Sequence, residues 1–169
     1  LVWHEVGDVS IGPGEVLVSV RASAVNRADL LQARGQYPPP PGASDILGLE
    51  ISGVVSAMAE DVQGWSTGDR VMALLPGGGY AERAAVPSGL LMRMPDNWSF
   101  AQGAAVPEAW LTAFLNLFIE GQLAAGESVL IHAGASGVGT AAIQMARAAG
   151  AVVFATAGSP EQLEACRRF

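Results

Sequence analysis

Residues 15–22 alternate polar and apolar side chains, the period of two that a strand with one buried face requires. A second strand pattern lies within residues 48–58, a third in Arg70-Val71-Met72-Ala73-Leu74, and a fourth over residues 80–86. Thr67-Gly68-Asp69 and Gly77-Gly78-Gly79 punctuate these runs. Short strands separated by glycine and aspartate turns predict a small antiparallel barrel. Pro38-Pro39-Pro40-Pro41-Gly42 fits neither a helix nor a central strand, so it reads as a stiff surface loop.

From Ser99 the period lengthens. Residues 101–106 read as a short helix that Pro107 ends or bends. Residues 108–119 carry Trp110, Leu111, Phe114, Leu115 and Phe118 at helical spacing, with Gly121 as the C-cap. A buried strand follows in the run that starts at Gly126, with His132 inside it. Then come a glycine turn, a helix through residues 140–146, and a second apolar run over residues 151–155. A dinucleotide pyrophosphate needs this strand, turn, helix and strand. Gly137 permits the tight turn, Gly139 lets the backbone approach the phosphates, and Ala142 lets helix and strand pack closely. The first amides of the helix and its dipole face a dianion. Gly134, Ser136, Gly137, Val138 and Gly139 are therefore the candidate phosphate contacts. The pattern divides the chain into a β part, residues 1–106, and the start of a parallel α/β domain, residues 107–169.

Composition narrows the classes. Nine arginines, with no lysine, against sixteen aspartates and glutamates give a net charge of −7, which argues against a nucleic-acid surface. No apolar run is long enough to span a bilayer and no signal-peptide pattern opens the chain, so a cytoplasmic address is expected. The single cysteine, Cys166, excludes an internal disulfide and reads as packing. The chain opens at Leu1 without methionine, stops at Phe169 within a helical pattern, and holds two of the roughly six strands of a dinucleotide domain. It is expected to be a fragment.

The run from Gly126 to Arg147 is similar to the signature of the zinc-free, zeta-crystallin-related quinone oxidoreductases of the medium-chain dehydrogenase/reductase superfamily. Asn26-Arg27-Ala28-Asp29-Leu30 with Gly35-Gln36-Tyr37-Pro38 points the same way, as do the stretch from Met72 to Gly79 and the stretch from Pro107 to Phe114. Together they resemble most the tumour-suppressor-inducible group or a bacterial relative. The resemblance implies a GroES-like barrel on the substrate side, a Rossmann domain holding NADPH, and a cleft between them. It also implies a homodimer in the full-length protein. The activity implied is NADPH-dependent reduction of a small quinone. A 2-alkenal or enoyl-thioester reductase is the enzymatic alternative, and an RNA-binding or structural role the non-catalytic one.

Asn26-Arg27 stands where zinc-dependent relatives begin with Cys-His, and Gly48-Leu49-Glu50 where they carry Gly-His-Glu. A catalytic zinc needs three converging ligands, and none is expected here. A quinone is already electron-poor, so positioning the reduced nicotinamide supplies most of the rate enhancement. By resemblance Asn26 bonds the nicotinamide-ribose region and Tyr37 flanks the cleft with a free hydroxyl. The plainer readings are a helix cap for Asn26 and packing on the prolines for Tyr37. Asp29 is expected on an exposed helix face, with a place lining the cleft as the alternative, and Glu50 in a structural role. Thr112, placed beside the nicotinamide by resemblance, is alternatively a buried helix residue bonding its own helix. Gly77-Gly78-Gly79 is either a loop that moves over the cleft or a plain barrel turn.

Coenzyme choice is read at the end of the second strand, where an NAD site places an acid. Ala157-Gly158-Ser159 stands there instead, so Gly158 and Ser159 are candidate contacts for a 2′-phosphate and NADPH is the expected coenzyme. Ser159-Pro160-Glu161-Gln162 also reads as a capping box. Gln162 takes the place of the usual lysine, which narrows the preference.

Overall fold

The alternation at Glu15 becomes strand β1 (Glu15–Ser23), whose Val16 and Val18 are buried. Strands β2 (Glu50–Met58), β3 (Arg70–Leu74), β4 (Arg83–Pro87) and β5 (Leu91–Arg93) join it in an antiparallel sheet ordered β4-β1-β2-β3-β5. Ala84 and Val86 from one edge strand and Leu91 from the other share one core with Val16, Val18, Ile51, Val55 and Val71. The sheet therefore curls around its own apolar face. Each of the valine, leucine and isoleucine side chains contributes roughly 2 kcal/mol by leaving water. The structure is a computed structural model describing residues 2–169. The chain forms two units, one running to Pro107 and one spanning Glu108–Phe169.

Two short helices complete the first unit. Helix α1 (Arg27–Gln32) follows Asn26, and helix α2 (Phe100–Ala104) is capped by Ser99, whose side chain accepts from Gln102 N–H. Ser52 Oγ donates to Phe100 O at 2.5 Å, tying α2 to β2. The strand expected from Tyr80 begins only at Arg83. Residues 78–80 are instead bonded to the preceding loop: Gly78 N–H to Ile46 O, Gly79 N–H to Gly48 O and Tyr80 N–H to Leu47 O. A Cβ on Gly48 would lie 2.5 Å from Tyr80 N, and one on Gly79 would lie 2.8 Å from Gly48 O. The glycine triplet is a pinned contact between two backbones, not a hinge.

In the second unit, β6 (Ser128–Ile131) and β7 (Val152–Ala155) pair in parallel across helix α4 (Gly137–Ala148), and helix α5 (Pro160–Arg167) follows. Ile131, Ala142, Ile143, Ala146 and Cys166 share the core, so Cys166 packs. His132 lies just beyond the strand, exposed, with Nδ1 3.0 Å from Thr156 Oγ1.

The helix expected over residues 108–119 departs at both ends. Pro107 starts α3 (Pro107–Phe114) rather than ending the helix before it, since proline lacks an N–H that the first turn does not use. Past Phe114 the coil widens to a π-helical segment, Leu115–Glu120. Gly121 closes it by donating to Asn116 O, and a Cβ there would lie 2.7 Å from that oxygen. Glycine is needed for this approach and not for a left-handed cap. Gly121 has φ −79°, and Gln122 takes the left-handed conformation at φ 48°.

Candidate functional site

The glycine turn opens α4 as a phosphate site requires. Ser136 is the N-cap, its Oγ accepting from Gly139 N–H at 3.0 Å. Gly137 and Val138 are exposed, and their N–H groups are among the first-turn donors that have no acceptor inside a helix. Gly134 N–H donates to Thr156 O at 2.8 Å, fixing the turn to the end of β7. Gly134, Ser136, Gly137, Val138 and Gly139 thus form one continuous turn.

The roles of the two glycines are the reverse of those expected. A Cβ on Gly139 would sit 2.4 Å from Ala133 O and 2.7 Å from Gly134 Cα. Its missing side chain is what allows the helix to start against the preceding turn. Around Gly137 the nearest atom to a Cβ is Ala109 Cβ at 3.9 Å, so the turn itself has room for a side chain there. Gly137, not Gly139, leaves space that a phosphate can use. The left-handed residue of this turn is Ala133, with φ 52°. These open donors and this space fit a dinucleotide pyrophosphate.

The start of α5 is more occupied. Ser159 Oγ accepts from Gln162 N–H at 3.3 Å, and Gln162 Oε1 accepts from Gly158 N–H at 2.9 Å. That is one residue earlier than the reciprocal bond of a regular capping box. The Ser159 hydroxyl also donates to the Glu161 carboxylate, holding it below the usual carboxylate range. Gly158 and Ser159 therefore lie beside β7 as expected, but the Gly158 N–H and the Ser159 hydroxyl already have partners within the chain.

Thr112 sits half-buried on α3, the helix whose Ala109 is nearest Gly137. Its carbonyl accepts from Asn116 Nδ2 at 2.8 Å. In the first unit, Tyr37 is 46% exposed in the loop after α1. Asn26 lies at the N-cap of α1 and its Nδ2 donates to Glu50 Oε1 at 2.8 Å. Asp29 is not on an exposed face. It is 2% exposed, and its Oδ2 accepts from Asn26 N–H at 2.8 Å and from the Tyr80 hydroxyl at 2.9 Å. Burial, then this bond, then the charges of Asp29 and Glu50 push the Tyr80 phenol well above its usual range. Glu50 is also 2% exposed. The first unit thus gathers Asn26, Asp29, Glu50 and Tyr80, three of which sequence reasoning left outside the site. The acid three residues after Asn26, at capping-box spacing, was the available signal. Among the described residues, no three His, Cys, Asp or Glu side chains are grouped to hold a metal ion, and no helix is long and apolar enough to cross a membrane.

Comparison with known proteins adds the lineage. The chain is 50% identical over 145 residues to the erythronolide synthase EryA2 of Saccharopolyspora erythraea, covering 86% of this chain and 4% of that protein. The CurK enoyl reductase structure superposes with a TM-score of 0.91 at 34% identity, covering 99% of this chain and 52% of that one. The quinone oxidoreductase of Thermus thermophilus, solved alone and with NADPH, superposes with a TM-score of 0.80 at 39% identity, covering 94% and 50%. The chain therefore spans about half of these solved structures and a small part of the synthase. These relatives do not single out the quinone oxidoreductases. The alcohol dehydrogenase GroES-like domain matches residues 12–96, half of the chain and the whole of its antiparallel sheet, and the chain belongs to that family.

Proposed function

We propose that this chain carries the GroES-like part and the pyrophosphate turn of a nicotinamide-dependent enoyl reductase, which saturates the double bond beside a thioester carbonyl. The observation that carries this reading is the 50% identity to a stretch of an erythronolide synthase, with 46% identity to a spectinabilin polyketide synthase protein beside it. The fold likeness to an enoyl reductase supports it. It replaces quinone reduction as the leading activity, and the likeness to the Thermus thermophilus enzyme keeps quinone reduction as the second reading.

A bound nicotinamide coenzyme supplies hydride to the β-carbon, and a proton at the α-carbon completes the saturation. The open N–H groups of Gly137 and Val138, with the α4 dipole behind them, hold the pyrophosphate. Asn26 holds the nicotinamide-ribose side. Tyr37, exposed beside the proline loop, donates its hydroxyl to the thioester oxygen as negative charge develops there. That charge is delocalised over the enolate, so hydrogen bonding meets it without a metal. NADPH is the proposed donor, because no acid ends β7. Its margin over NADH is narrow, because Glu161 is charged and Gln162 occupies the Gly158 N–H.

The test is the full-length protein with NADPH, given a crotonyl thioester and a small benzoquinone in parallel. The enoyl reading expects the higher kcat/KM on the thioester. A higher value on the quinone overturns it in favour of the second reading.

A further inference from the structure

Glu50 opens β2 with its side chain buried and its Oε1 2.8 Å from Asn26 Nδ2. An ionised carboxylate only accepts hydrogen bonds, so the nitrogen end of the Asn26 amide faces Glu50 and the Oδ1 end faces away. The backbone at Asn26 is held separately. Its N–H donates to Asp29 Oδ2, which also receives the Tyr80 hydroxyl. Tyr80 is itself located by its N–H bond to Leu47 O, at the point where the Gly48 and Gly79 backbones touch. Burying carboxylates opposes folding unless their hydrogen bonds compensate. Here two buried carboxylates converge on one half-buried asparagine, one on its side chain and one on its backbone. The same orientation turns Oδ1 toward the Asp29 N–H in the capping box of α1, which takes one of its two lone pairs and needs no Glu50.

We infer that Glu50 is a positioning residue that turns the Asn26 carboxamide so that the second lone pair of Oδ1 is offered as an acceptor, with Asp29 and Tyr80 fixing the backbone that carries it. The group received by Oδ1 is an N–H or O–H donor on the nicotinamide riboside half of the coenzyme. The inference rests on the proposed coenzyme contact of Asn26 and adds the residue that sets its polarity.

The experiment uses the full-length protein, with coenzyme affinity read by fluorescence titration, kcat and KM by steady-state assay, and folding by thermal melts. Asn26→Ala and Glu50→Ala are each expected to weaken NADPH about tenfold. The double variant is expected to be no worse than Asn26→Ala alone, because Glu50 acts through Asn26. Glu50→Gln, which keeps an acceptor oxygen, is expected to restore affinity to near the parent value. Where Glu50→Ala does not fold, Asn26→Asp supplies the second arm. It loses the donor to Glu50, and adding Glu50→Gln restores a donor and with it the affinity. A reduced coenzyme carrying acetyl in place of carboxamide identifies the ligand group. An Asn26 effect that persists with it assigns a ribose hydroxyl, and one that vanishes assigns the carboxamide NH2. Additive losses from Asn26→Ala and Glu50→Ala, or a folded Glu50→Ala with parent affinity, overturn the positioning role alone. Parent affinity in Asn26→Ala overturns the coenzyme contact and the inference with it.

Discussion

The two candidate regions are tied together at very different ranges along the chain. At the two helix starts of the second unit the side-chain bonds are local, Ser136 to Gly139 spanning three residues and Gly158 to Gln162 four, with one backbone bond, Gly134 N–H to Thr156 O, reaching across to the end of β7. Around Asn26 they are distant, with Glu50 at a separation of 24 residues and Tyr80 reaching Asp29 across 51. The first region is a motif that carries its own geometry. The second exists only once the sheet has formed, so its polar side chains are held by the fold and also hold it. Changes in the first should sort cleanly into those that affect ligand and those that affect folding. Changes in the second should mix the two.

The sharpest challenge to that contrast lies inside the turn itself. Gly139→Ala drives a Cβ into the Ala133 carbonyl, and urea denaturation should show a loss of about 3 kcal/mol. Gly137→Ala has space, so its stability should stay within about 0.5 kcal/mol of the parent while coenzyme titration shows weaker binding. Equal destabilisation by both substitutions would erase the division of labour between the two glycines.

Asp29→Ala comes next, because it strips the acceptor from Asn26 N–H and leaves the Tyr80 hydroxyl only the longer bond to Ala24 O. A loss of about 2 kcal/mol is expected in the same denaturation assay. Tyr80 adds a pH signature. Its phenol is raised in the folded chain by burial first and by Asp29 second, so the unfolded chain gives up this proton at lower pH than the folded one. The Tyr80 contribution is intact below about pH 10, the unfolded value, and declines as pH rises toward the folded value. Denaturation midpoints should therefore fall above pH 10 more steeply in the parent than in Tyr80→Phe. Parallel curves would show that Tyr80 makes no pH-linked contribution.

This mixture of legible and hidden features follows from range. Strand β1, the βαβ unit and the cap at Ser159 are readable because the pattern that marks each element lies within a few residues, even where its pairing partner is distant. The outward placement expected for Asp29 failed because periodicity on a six-residue helix says little about which side faces a sheet. Tyr80 was read into a strand because nothing local reveals a bond to Leu47 or Asp29. The π-helical segment escaped for a subtler reason. Its apolar spacing is helical, and the wide bond from Gly121 N–H to Asn116 O, which leaves no room for a Cβ at Gly121, has no signature in that spacing. The parts assigned to Gly137 and Gly139 were exchanged because the motif fixes where glycines occur, not which way each missing side chain points.

Smaller effects refine the comparison at the start of α5. Ser159→Ala removes the acceptor for Gln162 N–H and should cost about 1 kcal/mol in a thermal or urea melt. Glu161→Gln removes a charge from the same turn, and competitive titration should show the NADPH preference rising about threefold. An unchanged ratio would place the 2′-phosphate away from this helix start. Least of all, Ala133→Gly relieves a left-handed alanine at φ 52° and should raise stability by about 0.5 kcal/mol. A loss would mean that the turn is not strained at Ala133.

The crossing of Gly48 and Gly79 bears on how this unit tolerates variation. With each backbone sitting where the other's side chain would be, substitution at either position displaces a neighbouring segment rather than altering a surface. A library randomised there would return mostly misfolded clones and little information about substrate range. Diversity placed in the loop around Tyr37 and its prolines, where side chains are exposed and no second backbone presses against them, would explore what the unit accepts without first undoing it.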